Sequence, residues 1–175
     1  FYYLRRLVLI NLTVEQTDVP MVFEVINDRG VRLKPYEILK GKLLGQIDKT
    51  VMASKNYNRL WEENIRAINA FDEDEADRFF RFYLKAKFAD SRPEGQRFDG
   101  DYHRLIFTTE FDDKLAIAHN QAGVIRFLDY EFSYYAELYR KARCAYANDE
   151  ETAFAYNRVN DLDGALMLIL SSCGR

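Results

Sequence analysis

Apolar and aromatic side chains recur at intervals of three and four residues through most of this chain beyond Thr50. That interval places them on one face of an α-helix, whereas a half-buried strand would alternate apolar and polar residues. We therefore predict amphipathic helices separated by polar turns, with Trp61, Phe80, Leu128 and Phe132 buried. The spacing recurs over four segments, residues 57–70, 76–88, 124–147 and 162–170.

The first fifty residues carry a mixed pattern. Residues 7–14 are mostly β-branched or aliphatic, which predicts one largely buried strand. Next, Pro20 lies in the first turn of a predicted helix that ends at Gly30. A second helix is predicted after Pro35 because apolar residues again share one face. The residues expected to be buried on this face are Ile38, Leu39, Leu43 and Ile47.

The charge balance argues against a strongly basic nucleic-acid surface. The sequence holds 28 acidic and 25 basic residues, a formal net charge of -3. Any contact with DNA must therefore be local or lie outside this piece. Two basic clusters suit such a contact, Arg5-Arg6 and Arg140-Lys141-Arg143. With hydrophobic residues at 48%, the chain is also far from the composition of a disordered segment.

The compartment is predicted from the cysteines and from the longest apolar run. Cys144 and Cys173 fit neither a disulfide framework nor a paired metal-ligand pattern, which is typical of a reducing compartment. The longest apolar run, residues 165–170, is far shorter than the roughly 20 residues that span a bilayer. We expect a cytoplasmic protein with no membrane partner. The composition of both termini indicates an internal piece of a longer protein.

The most informative segment is residues 22–33 together with residues 37–40. Its local chemistry describes a helix, a glycine-terminated turn and a second helix. Asn27 and Gly30 tolerate the left-handed conformation that a helix end requires, and Arg29 lies where a cation complements the helix dipole. On this chemistry alone, a helix end is favoured over a ligand site.

The whole string looks like a family signature, Phe-Glu-x-x-Asn-x-Arg-Gly-x-x-Leu-x-x-x-Asp-Leu-x-Lys. It resembles the second conserved segment of the ParB/sulfiredoxin-like N-terminal domain of GmrSD-type restriction endonucleases, the modification-dependent type IV enzymes. The resemblance is close over residues 22–40 and general elsewhere. Glu37 stands where the family usually has Asp, and Lys34-Pro35 replaces the Ser or Thr that would cap the second helix.

The resemblance implies a fold and an activity. Residues 1–50 would be the C-terminal part of a ParB/sulfiredoxin-like domain, and residues 51–175 a helical connector domain. The chain is then mainly α, cut from an α+β parent. That parent would be a nucleotide-dependent DNA endonuclease of phage defence, acting on modified DNA through a nuclease domain outside this chain. The sequence identifies no cofactor, although the resemblance admits a nucleoside triphosphate, a divalent metal and a homo-oligomer for the full-length protein.

The resemblance also implies a nucleotide pocket bordered by Asn27, Asp28, Arg29, Gly30 and Lys40. Arg29 would contact phosphate through its planar fork. Lys40 would act as a point charge or pair with Asp28. Alternatively, Asp28 would orient Arg29. The family's Asp-Gly-Gln-Gln-Arg motif, which completes this pocket, is expected upstream of the first residue.

Two rival functions remain open. One is a non-catalytic helical interaction module, which needs an exposed apolar patch. The other is a DNA-binding connector, which needs its basic residues aligned on one surface.

Three further residue patterns were weighed. Asp99, Asp101 and His103 alternate and would form a metal site on a strand, although a solvated edge or turn is the favoured interpretation. The acidic run 72–75 is better explained by the first turn of a helix than by a cation site. The set Tyr130, Tyr134, Tyr135 and Tyr139 is favoured as core over base stacking.

We predict that this polypeptide alone does not cleave DNA. A His-Asn-His nuclease site needs clustered histidines for a metal and a base, and the sequence holds only His103 and His119, far apart. Incubation with modified and unmodified DNA in magnesium or manganese should leave both substrates intact. Metal-dependent cleavage that co-purifies with the polypeptide through several columns would contradict this prediction.

Overall fold

The computed structural model describes residues 33–148, 152–159 and 164–174, together with Thr13. Regular structure within these residues is helical throughout, so the mainly α prediction is confirmed for them. The predicted strand at 7–14 and the helix ending at Gly30 lie outside the described residues. None of the helices described is both apolar enough and long enough to cross a membrane.

The helices follow one another with short connections. They are α1 (Pro35–Leu44), α2 (Lys49–Lys55), α3 (Tyr57–Ile68), α4 (Glu75–Phe88), α5 (Arg92–Leu105), α6 (Thr109–Leu115), α7 (Gln121–Arg126), a π-helical segment (Phe127–Phe132), α8 (Ser133–Ala147), α9 (Thr152–Val159) and α10 (Gly164–Ser172).

Helix α1 begins at the proline predicted to start it. The backbone N–H of Lys34 donates to Glu37 Oε2 over 2.8 Å, so the glutamate satisfies a donor left open at the helix start. Leu39, Leu43 and the following Ile47 are buried as predicted, whereas Ile38 is only half-buried. Helix α1 packs against α3, α4 and α5, and its buried residues belong to the same core as the later helices. The domain boundary at residue 50 stays a prediction.

Helix α4 lies at the centre of the bundle. It packs against α1, α3, α5, α8 and α10. Its apolar face is fully buried, whereas charged residues such as Asp77 and Lys85 on the rest of the helix are only partly buried. The fully buried apolar residues are Ala76, Phe79, Phe80, Tyr83 and Leu84.

Aromatic rings form the middle of the core. The ring of Trp61 stacks on that of Phe132 with centroids 4.7 Å apart and on that of Phe80 at 5.4 Å. Phe80 and Phe132 are themselves nearly parallel, with centroids 5.9 Å apart. Trp61, Phe80, Leu128 and Phe132 are each at most 1% exposed, which confirms the predicted core.

The long helix predicted over 124–147 is present but contains a π-helical segment. Within this segment Phe127, Leu128 and Phe132 are all buried. Ser133 Oγ donates to the carbonyl oxygen of Leu128 over 2.8 Å, so a side chain takes part in hydrogen bonding where the helix changes form.

Residues 90–95 contain Pro93 and Gly95, from which the sequence predicts a loop, but the observed loop is shorter. Helix α5 already begins at Arg92, because Pro93 is compatible with a first turn and Ser91 acts as the cap. The backbone N–H of Glu94 donates to Ser91 Oγ over 3.4 Å. The prediction was wrong for residues 92–95, where proline and glycine were taken as loop residues.

We predict that Phe132→Ala destabilises the protein by about 3 to 5 kcal/mol, because it removes a fully buried ring that stacks on two others. The free energy of unfolding in urea measures the effect. The matched control is Leu168→Ala, since Leu168 is 65% exposed and its loss should change stability by no more than about 0.5 kcal/mol. Equal losses in the two variants would contradict the proposed core.

Candidate functional site

Of the five residues predicted to border a nucleotide pocket, only Lys40 lies within the described residues. Asn27, Asp28, Arg29 and Gly30 lie outside them. Lys40 Nζ lies 3.1 Å from Glu62 Oε1, which joins the middle of α1 to α3. This contact holds the pKa of the Glu62 carboxyl below its usual value. Whether Lys40 also borders a nucleotide stays a prediction.

A cleft of about 500 Å³ opens beside the start of α1. We call it the α1 cleft. Its walls come from the start of α1, the first half of α4 and the middle of α5, and Lys40 lies outside it. The lining residues are Leu33, Lys34, Pro35, Asp74, Asp77, Arg81, Asp99, Gly100 and Tyr102.

A carboxylate and a phenol hydrogen-bond to each other in this cleft. Tyr102 is 1% exposed, and its hydroxyl donates to Asp77 Oδ1. Burial raises the pKa of Asp77, although the hydrogen bond from Tyr102 partly opposes this change. Burial, together with the nearby Asp77 charge, also raises the pKa of the Tyr102 hydroxyl. The pair therefore presents a hydrogen-bonded phenol beside a carboxylate that is ionised less readily than usual.

Other charges of the α1 cleft are paired across helices. Lys34 Nζ lies 3.0 Å from Asp74 Oδ1 and 3.3 Å from Glu73 Oε1, and the hydrogen bond to Asp74 is the main cause of its raised pKa. Lys85 pairs with Asp99. Arg81 Nε donates to the backbone carbonyl of Asp77 over 3.3 Å. The lining thus combines cations, carboxylates and a phenol, which suits a polar ligand with both donors and acceptors.

The candidate metal ligands Asp99, Asp101 and His103 do not come together. They lie on helix α5, where alternate residues point in different directions, so the strand that a shared face requires is not formed. The side chains of Asp99 and Asp101 are 52% and 70% exposed, whereas His103 is 5% exposed. Across the described part of the chain, no three His, Cys, Asp or Glu side chains are grouped so as to hold a metal ion.

The acidic run before α4 contains a buried carboxylate that the sequence did not reveal. Glu75 is 2% exposed, and its Oε1 accepts hydrogen bonds from the Tyr139 hydroxyl over 2.7 Å and from Arg143 Nε over 2.6 Å. Tyr139 and Arg143 are four residues apart on α8 and so share one face. The four-residue spacing, together with the prediction that Tyr139 is a core residue, is the sequence signal that could have revealed these hydrogen bonds.

This arrangement also bears on the predicted basic cluster. Arg143 turns toward Glu75 at the bundle interior, and Lys141 pairs with Glu137 over 2.7 Å. Two of the three cations in Arg140-Lys141-Arg143 are therefore engaged within the protein. Of the tyrosines weighed for base stacking, Tyr135 and Tyr139 are buried core residues, whereas Tyr130 is 49% exposed.

Comparison with models of protein families, with curated proteins and with solved structures found no match.

We predict that Asp77 makes stability fall with rising pH. Folding raises the pKa of the Asp77 carboxyl above its ordinary value of about 3.8, so the native state binds the carboxyl proton more tightly than the unfolded state does. The native state therefore loses stability as the pH rises from that value through the raised pKa. Relative to wild type, Asp77→Asn should gain stability as pH increases across this window. Urea unfolding of both proteins from about pH 3 to 7 measures the difference.

Asp113→Asn is the matched control, because Asp113 is an exposed aspartate of α6. Its stability difference from wild type should not follow the Asp77 profile. A flat difference for Asp77→Asn over the whole range would show that Asp77 keeps an ordinary pKa.

Proposed function

We propose that this chain is the later part of a ParB/sulfiredoxin-like domain together with the helical connector of a GmrSD-type restriction endonuclease. The parent enzyme acts in the cytoplasm against modified phage DNA. The segment 22–40 carries the resemblance, and the α1 cleft beside its second helix is the structural observation that supports a ligand site there.

The position of the α1 cleft relative to the motif is the main support. Leu33 and Lys34 line the cleft and follow Gly30 by only three and four positions. An extended chain advances at most about 3.6 Å per residue, so the four steps from Leu33 back to Arg29 span no more than about 14 Å. The length of the connecting chain therefore allows Arg29 to approach a ligand at the cleft.

The described residues fit part of a nucleotide site. Arg81 adds positive charge at the cleft, and the Asp77 carboxylate accepts hydrogen bonds of the kind that ribose hydroxyls donate. Arg29 binds phosphate oxygens through its planar fork. A bound nucleoside triphosphate supplies the negative charge and the phosphoanhydride bond. No role is assigned to a metal ion.

Coupling to the rest of the enzyme would pass through α1. Lys34 connects its start to the residues before α4, and Lys40 connects its middle to α3. The apolar face of α1 is buried against both α3 and α4. A change at the motif that shifts α1 must therefore disturb the central helix. In this proposal nucleotide binding or turnover reaches the nuclease domain through that packing.

A helical interaction module is the second candidate. Val159 on α9 is 81% exposed and Leu168 on α10 is 65% exposed, which gives the last two helices apolar surface of the kind a partner covers.

We predict that Arg29→Lys in the full-length protein folds normally but binds nucleotide more weakly, by up to about 1.5 to 3 kcal/mol, because the charge remains and the bidentate fork is lost. Calorimetry measures the affinity, and the melting temperature reports folding. Arg66→Lys, at an exposed arginine of α3, is the control and should bind as wild type does. Wild-type affinity in Arg29→Lys would leave Arg29 as a helix-end residue.

Lys40 is tested separately through its partner. If Lys40 contacts the nucleotide, Lys40→Met should weaken binding, whereas Glu62→Gln should not, because it releases Lys40 from a competing carboxylate. Equal nucleotide affinity in wild type and Lys40→Met would remove Lys40 from the pocket.

A further inference from the structure

The ends of two helices line a second cleft, away from the α1 cleft. Helix α4 ends at Phe88 and α6 at Leu115. The last carbonyl groups of a helix carry partial negative charge and need donors. The cleft between these ends measures about 250 Å³, and we call it the basic cleft. Its lining residues are Lys87, Phe88, Lys114, Leu115, Arg126, Phe127, Glu131 and Tyr135.

Two cations of the basic cleft are held by backbone carbonyls rather than by carboxylates. Lys87 Nζ donates to the carbonyl oxygen of Cys173 over 2.6 Å and to that of Ser171 over 3.3 Å. Arg126 Nη2 donates to the carbonyl oxygen of Leu115 over 3.4 Å. That long contact is the only hydrogen bond of the Arg126 side chain within the described residues. The rest of its guanidinium fork is open to a ligand.

The charges around the basic cleft leave a positive excess. Lys114 pairs with Asp90 and also donates to the carbonyl oxygen of Phe88 over 3.0 Å. Glu131 faces the same cleft, and its Oε2 accepts from the buried Tyr83 hydroxyl over 3.5 Å. Lys87, Lys114 and Arg126 thus stand against two carboxylates, Asp90 and Glu131, which leaves one formal positive charge, part of which offsets the helix-end carbonyls.

The turn between α6 and α7 fixes the separation of Lys114 and Arg126. Asn120 Oδ1 accepts from the backbone N–H of Gly123 over 3.1 Å, and Asn120 Nδ2 donates to the carbonyl oxygen of Ala116 over 2.9 Å. The backbone approaches so closely that a Cβ on Gly123 would lie 1.8 Å from the Ala116 carbonyl oxygen. The helices that bear Lys114 and Arg126 are therefore joined by a tight turn that requires glycine at position 123.

We propose that the basic cleft binds one phosphodiester group, with Arg126 as its main ligand and Lys87 as a supporting charge. A phosphodiester carries a single negative charge, which is the most that the formal excess of one positive charge can balance. Its two unesterified oxygens suit the planar fork of an arginine. A phosphomonoester, with close to two charges at neutral pH, suits the cleft less well because Glu131 opposes the second charge. The inference stands independently of nucleotide binding at the α1 cleft.

The test measures binding of a fluorescent single-stranded oligonucleotide to the protein by anisotropy at several salt concentrations. The dinucleotide TpT, which has one diester, and inorganic phosphate are used as competitors. Arg126→Gln should weaken oligonucleotide binding about tenfold or more. It should also reduce the slope of log affinity against log salt concentration by about 1, because one phosphate contact is lost.

Arg66→Gln is the matched control, because it removes an exposed arginine of α3 outside the basic cleft. Arg126→Lys should fall between wild type and Arg126→Gln, since it keeps the charge and loses the fork. Equal melting temperatures of all three variants separate a lost contact from a lost fold. We expect TpT to compete in wild type and inorganic phosphate to compete less well.

Three results would overturn the proposal. The first is no oligonucleotide binding by the wild-type protein. The second is the same affinity and salt slope in Arg126→Gln as in Arg66→Gln. The third is stronger competition by inorganic phosphate than by TpT, which would mark a site for a more highly charged anion.

Discussion

Stacking of three rings holds this bundle together. Trp61 comes from α3, Phe80 from α4 and Phe132 from the π-helical segment, so one cluster joins three elements that are far apart in sequence. Rings bury more area than aliphatic side chains and also fix the mutual orientation of their helices. With α4 surrounded, the remaining helices can only pack around it, and the two clefts form where they diverge.

Polar contacts around this core are concentrated near the start of α4. Glu75 meets Tyr139 and Arg143 of α8, while Asp77 meets Tyr102 of α5. A buried carboxylate without partners would cost several kcal/mol, so these hydrogen bonds specify which helices lie beside α4. The packing of α4 thus depends on apolar rings along its length and on hydrogen-bonded carboxylates at its first turn.

The sequence predicted the helices well where apolar residues repeat, as in α3, α4 and α8. It failed at residues 92–95, because proline and glycine are as compatible with a helix start as with a loop. It also explained Glu75 only as part of an acidic first helical turn, since the partners that bury it come from α8, more than sixty residues later. The basic cleft was not predicted because its cations lie in three separate elements and meet only after folding. Local patterns therefore predicted elements, whereas sites made by distant residues needed the fold.

The π-helical segment has a consequence for how this chain tolerates change in length. Upstream of it, Arg126 is directed to the basic cleft, and downstream Tyr139 and Arg143 are directed to Glu75. The π-helical segment lies between them and so sets the angle between these two directions. Removing one residue while the rest of the helix keeps its form would rotate one end relative to the other by about 100°. This helix can therefore accept many substitutions on its surface, yet an insertion or deletion within it would break the contacts on one side.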